Sequence, residues 1–298
     1  RGFYPVLAME AATGKRADEY LLVINYVNQA GEVVRRDTTR KRFSWNETNL
    51  SLKAGLPLNL TSGAYFRLLQ PEVRMDYTHY EHNSTTPENF NRGSLQTVAY
   101  RLYYHQLMRQ AYRDILPDWG IVTDFTFRHG PWGDNDPGEL MAAQMRGYVP
   151  GFMKNHGISL YSGLQQRKNG SKYGFSDAIR YPRGYHAMNN KQMVSLSADY
   201  RMPLLYPDWN MGRWIYFRRV KALLFGDYAW LSGDVLNNSR EVVGSFRKNF
   251  YSMGVDLTAD VNFLRIYAPA NWGVRSVYVP ELNKFTFEML FSIDFTSF

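Results

Sequence analysis

The chain has 298 residues, with 35 lysines and arginines against 27 aspartates and glutamates, a formal net charge of +8, and no cysteine. The missing cysteine excludes a disulfide framework, a thiolate nucleophile and a cysteine metal site. A mean hydropathy of −0.42 and no run of about 18 apolar residues exclude a transmembrane helix, but not a membrane barrel, whose lumen side is polar.

Strand-like segments recur along the chain with turn-rich gaps. The candidates are 3–9, 18–28, 48–58, 64–80, 94–106, 119–129, 138–149, 156–166, 191–205, 216–230, 248–262, 263–270 and 284–295. Helical periodicity is confined to His105–Ile115, which reads equally well as a turn, and without helix–strand alternation an α/β fold is excluded. In 94–106, Val98, Tyr100, Leu102 and Tyr104 oppose Thr97, Arg101 and His105. In 191–205, Val194, Leu196, Ala198, Tyr200, Met202 and Leu204 oppose Ser195, Ser197, Asp199 and Arg201. In 248–262, Tyr251, Met253, Val255 and Leu257 oppose Ser252, Gly254, Asp256 and Thr258. The charged residues share a face with Ser and Thr, as lipid outside and water inside would sort them.

The last segment shows this period of two most clearly. Phe285, Phe287, Met289, Phe291, Ile293 and Phe295 alternate with Thr286, Glu288, Leu290, Ser292 and Asp294, and Phe298 supplies an aromatic terminus. Its length is close to the roughly 9–11 residues with which a tilted strand crosses a bilayer. The aromatic fraction of 16% is a surplus that the two aromatic girdles of a barrel would use.

The gaps sort as well. His82–Gly93, Gly130–Gly138 and Gln166–Asn190 are long and polar, whereas Pro57–Gly63 and Val149–Gly157 are short. Long loops at one end and short turns at the other are the barrel pattern. The segment 29–47 reads either as a hairpin or as a loop. Thirteen candidates make an odd count, and bacterial single-chain barrels have even ones. Either one segment is misassigned or the first strands lie outside the chain. The fold class expected is all-β, a transmembrane antiparallel barrel spanning 1–298 with about 13 strands visible. The chain begins at Arg1, so an export signal is expected upstream.

The positive charge raises nucleic acid as a partner. The basic residues do not gather in one patch, however. Arg35, Arg36, Arg40, Lys41 and Arg42 form the densest group, and Arg219 and Lys221 alternate within a strand. Lumen or rim charge is the reading, with no nucleic acid.

The gap 166–190 contains Arg180-Tyr-Pro-Arg-Gly-Tyr185. It is followed by Ser197-Ala-Asp-Tyr-Arg-Met-Pro203, Ala222-Leu-Leu-Phe-Gly-Asp-Tyr-Ala229, Ser252-Met-Gly-Val-Asp-Leu257, Arg265-Ile-Tyr-Ala-Pro269 and the terminal aromatic strand. This order resembles the C-terminal half of the Omp85 superfamily, the BamA-like surface-antigen barrels. There an Arg-Gly-Phe/Tyr motif sits at the tip of the sixth extracellular loop, and five strands follow it. Five candidate strands follow Tyr185 here. The resemblance covers about 48–298 and is specific from about 180 onward.

The resemblance implies about 16 strands in the complete barrel, usually preceded by periplasmic domains. It implies that the loop folds back into the lumen, where Arg183, with Gly184 and Tyr185, meets Asp199 and Asp227. The second acid belongs to Phe225-Gly-Asp-Tyr-Ala229. Two departures stand out: Pro182 replaces the family's Val or Ile, and Ala229 replaces the last Gly of its Phe-x-Asp-x-Gly motif. The residues themselves support the pairing, because both acids fall on polar strand faces, a guanidinium can grip a carboxylate with two parallel hydrogen bonds, and Gly184 permits a tight loop tip. The competing reading leaves Arg183 exposed and both acids in a wet lumen.

By the same resemblance the work is non-enzymatic: assembly and insertion of outer-membrane proteins, or polypeptide translocation. The location implied is the outer membrane of a Gram-negative bacterium with the C-terminus periplasmic. The partners are outer-membrane lipid and lipopolysaccharide, nascent or exported polypeptides and accessory outer-membrane lipoproteins. The terminal strand would be one side of a lateral gate, carried by Phe285, Phe287, Phe291, Phe295 and Phe298.

No nucleotide-binding, hydrolase or zinc-protease motif is present. The histidines, among them His79, His105, His129 and His186, lie in different segments, and Asp134 and Asp136 read as a solvated loop rather than a calcium site. No cofactor or metal is expected. The rival classes are a passive channel or structural barrel, and a soluble β-sheet binding protein.

Overall fold

A computed structural model of the chain describes residues 4–27, 33–88, 90, 92–111, 113–132, 135–170, 174–188, 190–236, 242–263 and 270–293. The strands are β1 (Val6–Val27), β2 (Val33–Gly55), β3 (Leu58–Asn59), β4 (Tyr65–His82), β5 (Gly93–Met108), β6 (Gly120–His129) and β7 (Gly138–Pro150). They continue as β8 (Gly157–Asn169), β9 (Gln192–Leu205), β10 (Trp209–Met211), β11 (Ile215–Leu236), β12 (Val242–Phe263), β13 (Ala270–Val279) and β14 (Lys284–Ile293). A single 3₁₀ turn, Pro280–Leu282, joins the last two. All belong to one antiparallel sheet, so the fold is all-β as expected.

Long strands follow chain order across the sheet from β1 to β14, while β3 and β10 pair only with β4 and β11. Such a meander needs only local connections, because an antiparallel neighbour is reached by a hairpin. Among the described residues β1 pairs with β2 alone and β14 with β13 alone.

The structure bears on four of the sequence expectations. The segments 3–9 and 18–28 are one strand, β1, paired without interruption with β2 through Gly14 and Glu47, Lys15 and Asn46, and Arg16 and Trp45. The polar run between them mimicked a turn because an edge strand can carry polar residues on both faces. Among the described residues this merger brings the long strands to an even number. The segment 29–47 joins β2 from Val33 onward. Of the strand expected at 263–270, residues 264–269 lie outside the described residues, and a strand the sequence reading did not place runs over Ala270–Val279. It was hidden because its inward side mixes Asn271 and Arg275 with Val277 and Val279, which breaks the alternation. His105–Ile115 is not helical: β5 continues through Met108, and a turn follows.

The two faces are sorted in the opposite sense to a water-soluble sheet. On the outer side Leu7, Leu160, Leu196, Tyr251, Met253, Val255 and Leu257 are exposed, and in β14 Phe287 and Met289 are 79% and 77% exposed. On the inner side Ser195, Ser252, Asp227, Asp256 and Asp260 are buried, with Asp199 4% exposed. Each large apolar side chain left in water forgoes about 1.5–3 kcal/mol, so an apolar face of this extent marks contact with something other than water.

Among the connections described, two reach far across the polar face. The segment 109–119 crosses it at one end, where the Arg113 carbonyl accepts from the Tyr206 hydroxyl at 3.2 Å and the Asp114 carbonyl from Arg219 Nη1 at 3.1 Å. The β8–β9 loop covers it from the other. Its Phe175 and Ala178 share a cavity wall with Lys53 of β2 and Glu72 of β4, and its Gly184 lies on Val277 of β13. Nine strand steps of about 4.8 Å separate β2 from β13, farther than the roughly 35 Å that residues 175–185 can span. The sheet therefore curls around its loop.

Candidate functional site

Register brings the two sequence-predicted acids together. Across β9 and β11, Asp199 pairs with Phe225 and Ser197 pairs with Asp227. Inward positions recur every second residue, so the two carboxylates occupy adjacent rows of the polar face. Ser159 Oγ donates to Asp199 Oδ2 at 3.4 Å, and Ser197 Oγ donates to Asp227 Oδ1.

The loop reaches this point from a buried polar anchor. Asp177 Oδ1 accepts from Arg167 Nη2, from Gln165 Nε2 and, at 3.0 Å, from Asn190 Nδ2. Asn190 is 1% exposed and also donates to the Tyr181 hydroxyl at 2.7 Å and the Met188 carbonyl at 3.0 Å. The two ends of the loop are thereby tied together before its tip begins. Pro182, fully buried, offers its carbonyl to the Tyr185 N–H at 3.3 Å and closes a turn. Gly184 holds φ at +84°, and a Cβ there would lie 3.0 Å from both Val277 Cγ1 and Val279 Cγ2. The left-handed backbone and the close approach both require glycine.

The turn aims Arg183 between the acids. Its Nη2 donates to Asp199 Oδ1 at 2.8 Å, and its backbone N–H donates to Asp227 Oδ2 at 3.0 Å. Nε stands 3.8 Å from Asp227 Oδ2, an ion-pair distance rather than a hydrogen bond. The guanidinium thus divides itself between two carboxylates instead of gripping one with a fork. The fork occurs next door, where Arg275 holds Asp256 through two bonds of 2.8 Å. The Arg183 side chain is 14% exposed and its acids 5–6%. Removing one member of such a buried set leaves the others uncompensated, at a cost of about 3–5 kcal/mol.

Phe225 is the platform under this pair. Its buried ring lies 4.1 Å from the Arg183 guanidinium carbon and 5.8 Å from that of Arg275. The ring fits because residue 254, opposite it on β12, is glycine; a Cβ there would meet Phe225 Cζ at 2.6 Å and the Ser276 carbonyl oxygen at 2.1 Å. Tyr185 completes the tip. Its ring packs 4.6 Å from that of Phe250, and its hydroxyl donates to the Tyr251 carbonyl at 3.1 Å and stands 3.4 Å from Glu281 Oε2. Burial first, and then the Glu281 charge, raise its hydroxyl above the ordinary pKa, although the bond to Tyr251 opposes this.

The terminal-strand residues stand apart. Phe285, Phe287 and Phe291 are exposed on the apolar face, and Phe295 and Phe298 lie outside the described residues. A polar route nevertheless runs from the loop to the last strand, because Arg275 also meets Glu288 of β14 at 3.6 Å. Sequence reasoning missed Phe225, Arg275 and Asp256 as members of the site, and the Asp177 anchor entirely. The available signal was the placement of Asp256 and Asp260 on the polar face of 248–262. Arg219 and Lys221, expected at the lumen or rim, both meet Asp260 on that face, Lys221 at 2.6 Å. Of the candidate acidic cluster, Asp134 lies outside the described residues, and Asp136 accepts the Gly138 N–H at 2.8 Å. Neither protein-family models nor curated proteins give a match to this chain.

Proposed function

We propose that this chain is the barrel-forming part of an Omp85-type outer-membrane protein that assembles outer-membrane proteins or passes polypeptide across the membrane. One observation carries the reading: the Arg183-Gly184-Tyr185 turn is driven into the polar face, where Arg183 meets Asp199 and Asp227. A tripeptide recurs by chance, but burial of its arginine against two acids of the next two long strands does not follow from chance. The inverted sorting of the sheet supports a lipid-facing exterior, in an outer membrane with lipopolysaccharide and with the C-terminus in the periplasm.

In this reading the loop braces the sheet beside its last strands, and β14 is one side of a gate. Among the described residues β14 pairs with β13 alone, and an edge left open in this way can template an incoming strand through backbone hydrogen bonds. Nascent or exported polypeptides are then the clients, outer-membrane lipoproteins the accessory partners, and no bond-making chemistry is required.

Depletion in the native bacterium tests the assignment. The expected result is a fall in other folded outer-membrane proteins, or in one secreted polypeptide. If all of them persist at normal levels, the protein is a passive or structural barrel. A chain that stays soluble without detergent, with no change of gel mobility on heating, would remove the membrane reading itself.

A further inference from the structure

Beneath the β8–β9 loop lies a cavity of about 630 Å³ bounded by β8, β9 and β11–β14. That volume is within the range of small-molecule sites. Five cationic side chains line it, Arg180, Arg183, Arg201, Lys221 and Arg275, against two carboxylates, Asp227 and Asp256. Two further acids serve the same cations: Asp199 meets Arg183 and Arg201, and Asp260 meets Lys221.

Arg180 is different. Among the described residues no carboxylate pairs with it. Its guanidinium carbon lies 3.9 Å from the centre of the Tyr161 ring, and Arg146, likewise without a carboxylate partner, stands 5.8 Å from the same ring. Partial burial of the guanidinium first, and then the Arg146 charge, push it below its ordinary range, although Arg180 as a residue is exposed. Two of its neighbours on the wall carry N–H groups shut off from solvent and without a hydrogen-bond partner among the described residues, Arg183 Nη1 and Arg201 Nε. A buried donor without an acceptor is costly and rare in a native structure. Asn271 on the same wall has a buried Oδ1 without a donor among the described residues.

We propose that this cavity binds a phosphate-bearing oxyanion, held by Arg180 with the Arg183 and Arg201 side chains beside it on the wall. Guanidinium forks match phosphate oxygens in geometry as well as charge. The Tyr161 ring fixes the plane of Arg180, so little freedom is lost on binding. The ligand is either a free phosphate compound or the headgroup of a phospholipid reaching the cavity at its β14 side, where Leu290 and Ser292 form the wall. The site does not depend on whether the barrel inserts or passes polypeptides.

The test is titration calorimetry on the purified full chain in zwitterionic detergent micelles at low ionic strength. One arm uses inorganic pyrophosphate, the other micelles doped with phosphatidylglycerol, and both are matched with chloride at equal ionic strength. Saturable one-site binding is expected in one arm, and that arm identifies the source. Arg180→Gln is expected to weaken it about tenfold or more, the loss of one charged hydrogen-bonding group. Arg180→Lys, which keeps the charge and loses the fork, falls between, and Lys154→Gln, in the exposed 151–156 turn, binds as the parent. Heat-modified gel mobility reports folding of each variant, and Arg146→Gln, expected to weaken binding less, replaces Arg180→Gln if that chain does not fold. Absence of saturable binding in both arms overturns the proposal, as does parental affinity in the Arg180 and Arg146 variants.

Discussion

Arg183 stands over the ring of Phe225, 4.1 Å from its centre. The acids account for the charge of the loop arginine, but the ring accounts for its position. It closes the side of the guanidinium that faces the sheet and leaves the edges free for Asp199 and Asp227. The first prediction concerns this platform. Phe225→Leu is expected to cost about 1–2 kcal/mol through the lost ring contact. It should also cost less in an Arg183→Ala background, a coupling that unfolding midpoints of the four proteins measure.

The ion pairs give the second prediction. Arg183→Ala and Asp227→Ala are each expected to lower stability by about 3–5 kcal/mol, because each strands a buried charge. The double variant should lose little more than either single one. Zero coupling between positions 183 and 227 in the cycle would sink the lock.

Gly184 combines a left-handed backbone with two valine methyl groups at 3.0 Å. Gly184→Ala is therefore expected to destabilise the turn by about 1–3 kcal/mol. Limited proteolysis within residues 174–191 is the measurement, and the variant should be cut faster than the parent. Equal cutting rates would show that the turn tolerates a Cβ.

Gly254 makes room for the Phe225 ring from the neighbouring strand, and the second obstacle to a Cβ is the Ser276 carbonyl, which is backbone and does not yield. Gly254→Ala is expected to cost about 1–3 kcal/mol as an overpacking change. Phe225→Leu in the same chain should recover part of that loss. A Gly254→Ala protein with parental unfolding would contradict the packing described.

The Tyr185 hydroxyl is raised above its ordinary value of about 10 mainly by burial. With the folded value above the unfolded one, its contribution is complete below about pH 10 and is lost as pH rises toward the folded value. Thermal midpoints between pH 8 and 11 should fall less steeply for Tyr185→Phe than for the parent. Parallel curves would mean that Tyr185 does not carry the effect.

Much of the fold was legible because a period of two is a local property. The alternations in β5, β9, β12 and β14 are written in adjacent residues, and each element is where the pattern placed it. Failures occurred where the pattern serves two masters. In β13, inward Val277 and Val279 pack under Gly184, so a position that alternation reserves for polar residues is apolar. In β1, Lys15 and Glu19 on one side and Glu10, Arg16 and Asp18 on the other interrupt the alternation.

The site divides in the same way. By itself the sequence determined the strand faces, hence the side from which Asp199 and Asp227 project, and it singled out the Arg-Gly-Tyr turn in a long loop. Tertiary structure alone decided which partners those groups meet. The division of Arg183 between two acids, the ring of Phe225 beneath it and the stacking of Arg180 on Tyr161 all depend on register across β8–β13 and on a loop crossing a curled sheet. Side-chain direction is set by the two or three nearest residues, whereas contact across the sheet is set by how whole strands align, and no short stretch of chain encodes that.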